Sequence, residues 1–137
     1  MFERSGVSVK GEVGQEMGIH VIGKAEAIPV GERQFVTVEG REIGVFNVNG
    51  RFYAVLNDCP HLGGPVCKGE VLGKLTAEVL PGGETREFFT QEGEIVACPW
   101  HGWEFEIPTG ACLADPRFRL RTFPVTVEEG LVKVTVP

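Results

Sequence analysis

The sequence has no excess of basic residues, no long apolar run and few cysteines. Thirteen Lys and Arg stand against nineteen Asp and Glu, a net charge of −6 over 137 residues. A nucleic-acid binder shows the opposite balance, so that class is excluded. No window approaches the ~20 consecutive apolar residues that span a membrane. The mildest candidate, 19–30, is interrupted by Lys24, Glu26 and Pro29. The opening MFERSGVSVKGEVGQ has neither an apolar run nor a small-residue cleavage site. Four cysteines do not make a secreted disulfide framework at this length. The expectation is a cytoplasmic protein with no membrane partner, its thiols reduced until a metal takes them. A sustained 3.6-residue period is missing too, because Gly or Pro breaks most windows before a helix could form.

Glycine is what the chain has in surplus: 19 of 137 residues, about twice ordinary usage. Glycine serves positive φ and close backbone approach, so this is a chain of many turns. Residues 1–17 are polar and without period, and read as a flexible N-terminal arm. Residues 18–137 then suit one domain. Short strands are predicted from His20, at Phe35–Val38 and at Ile43–Val48. Asn49-Gly50 is a strong two-residue hairpin signal, with Phe52–Leu56 returning. Further strands are predicted at 71–80, 87–90, 94–97 and 103–107, with a turn at Glu92-Gly93. Arg117, Arg119 and Arg121 alternate with Phe118, Leu120 and Thr122, and 123–136 read as a last hairpin about Glu129-Gly130. Many short strands with frequent turns give an all-β sandwich or small barrel.

Two loops each pair a thiol with an imidazole. Cys59-Pro60-His61-Leu62-Gly63-Gly64 is Cys-x-His, and Cys98-Pro99-Trp100-His101-Gly102-Trp103 is Cys-x-x-His. Each follows a predicted strand, where a rigid sheet can display it. Two thiolates and two imidazoles are the donor set of a Rieske-type [2Fe–2S] centre, with Cys59 and Cys98 on one iron and His61 and His101 on the other. With two ferric ions, two sulfides and two thiolates the oxidised centre is neutral, and accepts an electron more easily than a four-thiolate one. The same donors also permit a Cys₂His₂ zinc site, although zinc fingers and ribbons lack these Pro, Gly and Trp flanks. Gly63, Gly64 and Gly102 are expected to turn the backbone tightly and bring N–H groups near sulfur.

These flanks, extended to Pro65 and to Glu104-Phe105, closely resemble soluble Rieske-type ferredoxins of the oxygenase-associated kind. Looser similarity runs from about Val30 to Val136. The resemblance implies antiparallel sheets in an all-β fold, with a small cluster-binding subdomain at about 57–107 and histidines near the surface. It implies a soluble one-electron carrier, not itself an enzyme, that passes electrons from a flavin-dependent reductase to a terminal oxygenase or similar acceptor. The alternative is a small Rieske subunit of a larger oxidoreductase, such as nitrite reductase or a ring-hydroxylating dioxygenase. A complete oxygenase needs a second iron, commonly held by two His and a carboxylate, and only His20 remains.

The respiratory branch of the family carries a further Cys in each loop, forming a disulfide. Gly64 and Trp100 stand at those places, so no such bond can form. That branch also places a Ser, donating to sulfur, where this chain has Trp103. Losing that donor places the expected potential in the lower part of the roughly −150 to +300 mV Rieske range. Thirty-six residues separate His61 from Cys98, more than twice the span in compact members. The excess reads as an insertion at about 73–92, a hairpin expected close to the cluster. Trp100 and Trp103 are expected to pack over the cluster. Cys67 and Cys112 are read as buried thiols, and the Arg face and Glu84, Glu87, Glu92 and Glu94 as solvated, with docking as the alternative.

Overall fold

The computed structural model describes residues 18–61 and 63–137. The expected arm at 1–17 lies outside the described residues. The strands among the described residues are β1 (Ile19–Lys24), β2 (Arg33–Val38), β3 (Arg41–Val48), β4 (Arg51–Leu56), β5 (Glu70–Val79), β6 (Thr85–Ala97), β7 (Glu104–Glu106), β8 (Thr122–Phe123), β9 (Val125–Glu128) and β10 (Leu131–Thr135). The described helical segments are two 3₁₀ turns, Ala25–Ala27 and Val66–Lys68. No helix among the described residues is long and apolar enough to cross a membrane.

The strands form three antiparallel sheets, ordered β1-β10-β9, β2-β3-β4-β8 and β5-β6-β7. β3 is the strand between two cores. Its residues Ile43 and Val45 join Ile22, Val36, Ala54, Val132 and Val134 in one core. Phe46 and Val48 point the other way, into a core with Val55, Val66, Val96, Phe105 and all four cysteines. A strand buried on both faces has no polar alternation, which is why 43–48 is almost wholly apolar. Its one buried polar side chain, Asn47, donates to the Ile28 carbonyl (2.8 Å) and accepts from Gly50 N–H (2.9 Å). Asn47 therefore holds the Asn49-Gly50 turn that aims β4 at the first loop.

The third sheet carries the second loop. Glu70 pairs with Ala97 at its base, directly beside Cys98. Gly69 makes this possible: a Cβ there would lie 1.7 Å from the Ala97 carbonyl oxygen. Arg33 donates Nη1 to the carbonyls of Cys67 (2.7 Å) and Gly69 (2.5 Å), tying the same stretch to the middle sheet.

The expected turn at Glu92-Gly93 is absent. β6 runs unbroken from Thr85 to Ala97, and between the Leu72–Ile95 and Lys74–Thr90 pairs four residues bulge against Gly73 alone. Gln91 (φ 52°) and Gly93 (φ 80°) absorb the extra residues without ending the strand. The 73–92 segment is thus a β5–β6 hairpin, but only its base lies beside the second loop. From Glu70 to its tip at Val79 it runs roughly 30 Å along the strand. The alternation at 117–122 becomes a strand only at its end. Thr122 and Phe123 pair with β4 and the Arg121 carbonyl accepts from Leu56 N–H (2.9 Å), whereas the Leu120 N–H donates to the Gly110 carbonyl (2.8 Å).

Gly69→Ala is expected to cost about 2 kcal/mol or more, since backbone must move. Excising 76–88 and closing with a two-residue turn is expected to cost less than about 1 kcal/mol, because none of residues 74–90 is buried. Urea unfolding of the two variants checks both, and reversal of the order would refute this account.

Candidate metal centre

The two loops share one backbone design despite their different spacings. In the first, Gly63 N–H donates to the Cys59 carbonyl (2.7 Å) and Cys59 N–H to the Gly64 carbonyl (2.8 Å). In the second, Gly102 N–H donates to the Cys98 carbonyl (2.8 Å) and Cys98 N–H to the Trp103 carbonyl (2.8 Å). The partners lie four and five residues beyond the Cys in both. Gly63 (φ 79°) and Gly102 (φ 73°) close these turns in the left-handed region. Their N–H groups therefore go to the cysteine carbonyls, not toward sulfur as expected from sequence. The histidine stands two residues after Cys59 but three after Cys98.

The four side chains sort by depth. Cys59 and Cys98 are buried in the core under the loops, whereas His61 is half-buried and His101 exposed. The two imidazoles meet at a ring-centroid distance of 5.0 Å, nearly perpendicular at 83°. His61 Nδ1 is buried and has no hydrogen-bond partner among the described residues. An orphaned buried ring nitrogen is costly unless something else occupies it. Among the described residues no three His, Cys, Asp or Glu side chains converge as donors to a single ion. A two-iron centre divides its donors two and two, whereas a structural zinc gathers four about one ion.

A family model, the Rieske [2Fe-2S] domain, matches residues 18–124. The chain belongs to that family. Its cofactor is one [2Fe–2S] cluster. Among relatives, the ferredoxin component of a naphthalene 1,2-dioxygenase system from Pseudomonas aeruginosa is 30% identical over 108 residues, covering 78% of this chain and 85% of that protein. A putative NADH-dependent nitrite reductase small subunit from Mycobacterium tuberculosis is similar in structure, with TM-score 0.65 and 23% identity over 87% of this chain and 95% of that one. So is a chain in a complex of reduced oxygenase and oxidised ferredoxin of carbazole 1,9a-dioxygenase, with TM-score 0.65 and 24% identity over 88% of this chain and 94% of that one.

Within this Rieske domain, Gly64 and Trp100 do face each other. A Cβ at Gly64 would lie 2.9 Å from the Trp100 indole and 3.0 Å from Cys98 Sγ. An indole laid on a glycine thus occupies the place where a disulfide was excluded. Trp100 is nonetheless 57% exposed, so only part of its indole is packed against the loops. Trp103 instead stacks on His61, at 4.0 Å and 12°, and Phe118 packs edge-on to Trp103 at 5.2 Å and 82°. Sequence reading missed Phe118. Its alternation with arginines marked it as inward-facing but not what it would meet.

The arginines are individually engaged. Arg117 donates Nε (3.0 Å) and Nη2 (2.8 Å) to the Asp115 carboxylate, which holds that carboxyl below its ordinary range. Arg119 donates to the Thr109 carbonyl (3.2 Å), and Arg121 lies over Phe123. Glu84 and Glu87 sit on the distal hairpin, away from the loops. His20 reaches Glu39 (3.2 Å) and is no part of the site.

Cys67 and Cys112 are buried thiols, as expected. Cys67 Sγ donates to the Val55 carbonyl (3.3 Å), and Asn57 Oδ1 accepts from Cys67 N–H (2.8 Å). Burial pushes the Cys67 thiol up from 9.0 to about 12. The unfolded thiol ionises near 9.0 and the folded one near 12, so this stabilisation is complete below the first value and lost as pH climbs through the second. Unfolding free energy between about pH 8 and about pH 10 is expected to fall more steeply in the parent than in Cys67→Ala. Equal slopes would contradict it.

Proposed function

We propose that this chain is a one-electron carrier whose [2Fe–2S] cluster is held by Cys59, His61, Cys98 and His101. The observation that carries this reading is the depth order: thiols in the core, imidazoles toward the surface. When bound, the cluster supplies reversible uptake of one electron near neutral pH. Cys59 and Cys98 exclude water from the sulfur side by lying in the core with Val96 and Phe105. His101 stands exposed at the outer edge, so a partner approaches the imidazole side. β4 leads into the first loop and β6 into the second, so both loops are anchored on the sheets.

The likeness to a dioxygenase ferredoxin component supports a terminal oxygenase as acceptor. A flavin-dependent reductase is the proposed donor, and the cytoplasm the proposed location. The chain contributes electron transfer and no substrate chemistry of its own. A second reading, a small subunit fixed in a larger oxidoreductase such as nitrite reductase, is favoured by the matching fold and extent of such a subunit. Co-purification with a large subunit from the native source supports that reading, and a free reducible protein supports the carrier.

EPR of the dithionite-reduced, iron-loaded protein is expected to give a Rieske signal, with a midpoint below about +100 mV. His61→Cys and His101→Cys are each expected to abolish that signal or lower the midpoint, since thiolate adds negative charge. Iron-loaded protein without the signal, or colourless protein holding zinc, would defeat the assignment.

A further inference from the structure

We infer that Trp103 is the positioning residue of His61: the indole of the second loop fixes the orientation of an iron ligand carried by the first. This rests on the proposed role of His61. A metal-bound histidine is ordinarily oriented by a hydrogen bond from its outer ring nitrogen to a carboxylate, carbonyl or water. Here the geometry supplies a different device. The His61 ring lies flat on the Trp103 indole, 4.0 Å between centroids and 12° from parallel. Its Nδ1 is buried and has no hydrogen-bond partner among the described residues, so that nitrogen faces inward and not toward solvent. The edge contact with His101, 5.0 Å away at 83°, limits the ring further.

A platform orients a ligand only if it is itself held, and Trp103 is held on two sides. Its carbonyl accepts the Cys98 N–H (2.8 Å), and it directly precedes β7, which pairs with β6. Phe118 meets the indole edge-on at 5.2 Å. The chain Phe118–Trp103–His61 thus runs from the segment before β8, through the second loop, to the first. Flat aromatic contact restrains ring tilt and leaves sliding in the plane easier, so its loss should widen the distribution of ring tilts at His61.

The test compares holoprotein carrying Trp103→Phe, which keeps an aromatic face, with Trp103→Leu, which keeps apolar bulk without one. Iron content, the EPR g-values and linewidths of the reduced cluster, and the ¹⁴N couplings of the histidine ligands are read for each. Trp103→Leu is expected to broaden the EPR features and shift the coupling of one histidine, with Trp103→Phe close to the parent. Phe118→Leu is expected to broaden in the same direction, by less. If Trp103→Leu loses iron while Trp103→Phe keeps it, the inference also stands. A Trp103→Leu spectrum that superimposes on the parent would overturn it. So would equal changes, or equal iron loss, in the Phe and Leu variants, because bulk and not a ring face would then be at work. A parent protein lacking any Rieske signal would instead defeat the ligand assignment, which keeps the two failures apart.

Discussion

Everything at the site depends on one close backbone approach. Gly69 lies so near the Ala97 carbonyl that no side chain fits between them. The contact sits just after the first loop and just before the second, where Glu70 begins to pair with Ala97. Thirty-six residues separate His61 from Cys98, so chain connectivity does not hold them together. A β-ladder closed at that point does. The entropy of the long intervening loop grows only slowly with its length, so once the base of the ladder is fixed, the hairpin beyond can vary without disturbing the loops.

The loops themselves are rigid for a second reason. Each cysteine has its N–H and C=O bonded within its own loop, to the fifth and fourth residue on. Buried backbone groups that are already satisfied do not compete with the sulfur for hydrogen bonds or for space. Beneath them β3 serves two cores at once, so the middle sheet transmits the position of β4 to Cys59 while the third sheet sets Cys98. The absence of a covalent link between loops is met by two indoles from the second loop, one on Gly64 and one on His61. Both contacts cross between loops, so neither loop is positioned alone.

Much of this was legible in the residues. Asn49-Gly50 placed the β3–β4 hairpin because an Asn-Gly pair accommodates two positive φ values in succession. Period-two alternation found β7, and the alternation of Ile43, Val45 and Asn47 with Gly44, Phe46 and Val48, just before the Asn-Gly pair, found β3. The failures have physical causes. Glu92-Gly93 carries turn chemistry, yet the two positive φ values fall at Gln91 and Gly93 and make a bulge that lets β6 continue. Residues 117–121 carry strand alternation, yet hydrogen bonds from Leu120 to Gly110 and from Arg117 to the Asp115 carboxylate take the place of a ladder. In both cases local pattern was outweighed by partners remote in sequence.

The sequence by itself carried the proposed chemistry: two thiols and two imidazoles, at spacings and with flanks that resemble those of a Rieske two-iron centre. Donor type is a property of side chains, and spacing limits which of them can share a loop. It also determined that no disulfide joins the loops, since Gly64 and Trp100 carry no sulfur. Only the tertiary structure decided what replaces it, which histidine is sheltered and which is exposed, and where the long hairpin goes. Those outcomes depend on contacts between Gly64 and Trp100, His61 and Trp103, Trp103 and Phe118, pairs that no local period links. Packing between distant segments is fixed only when the three sheets close on their shared cores.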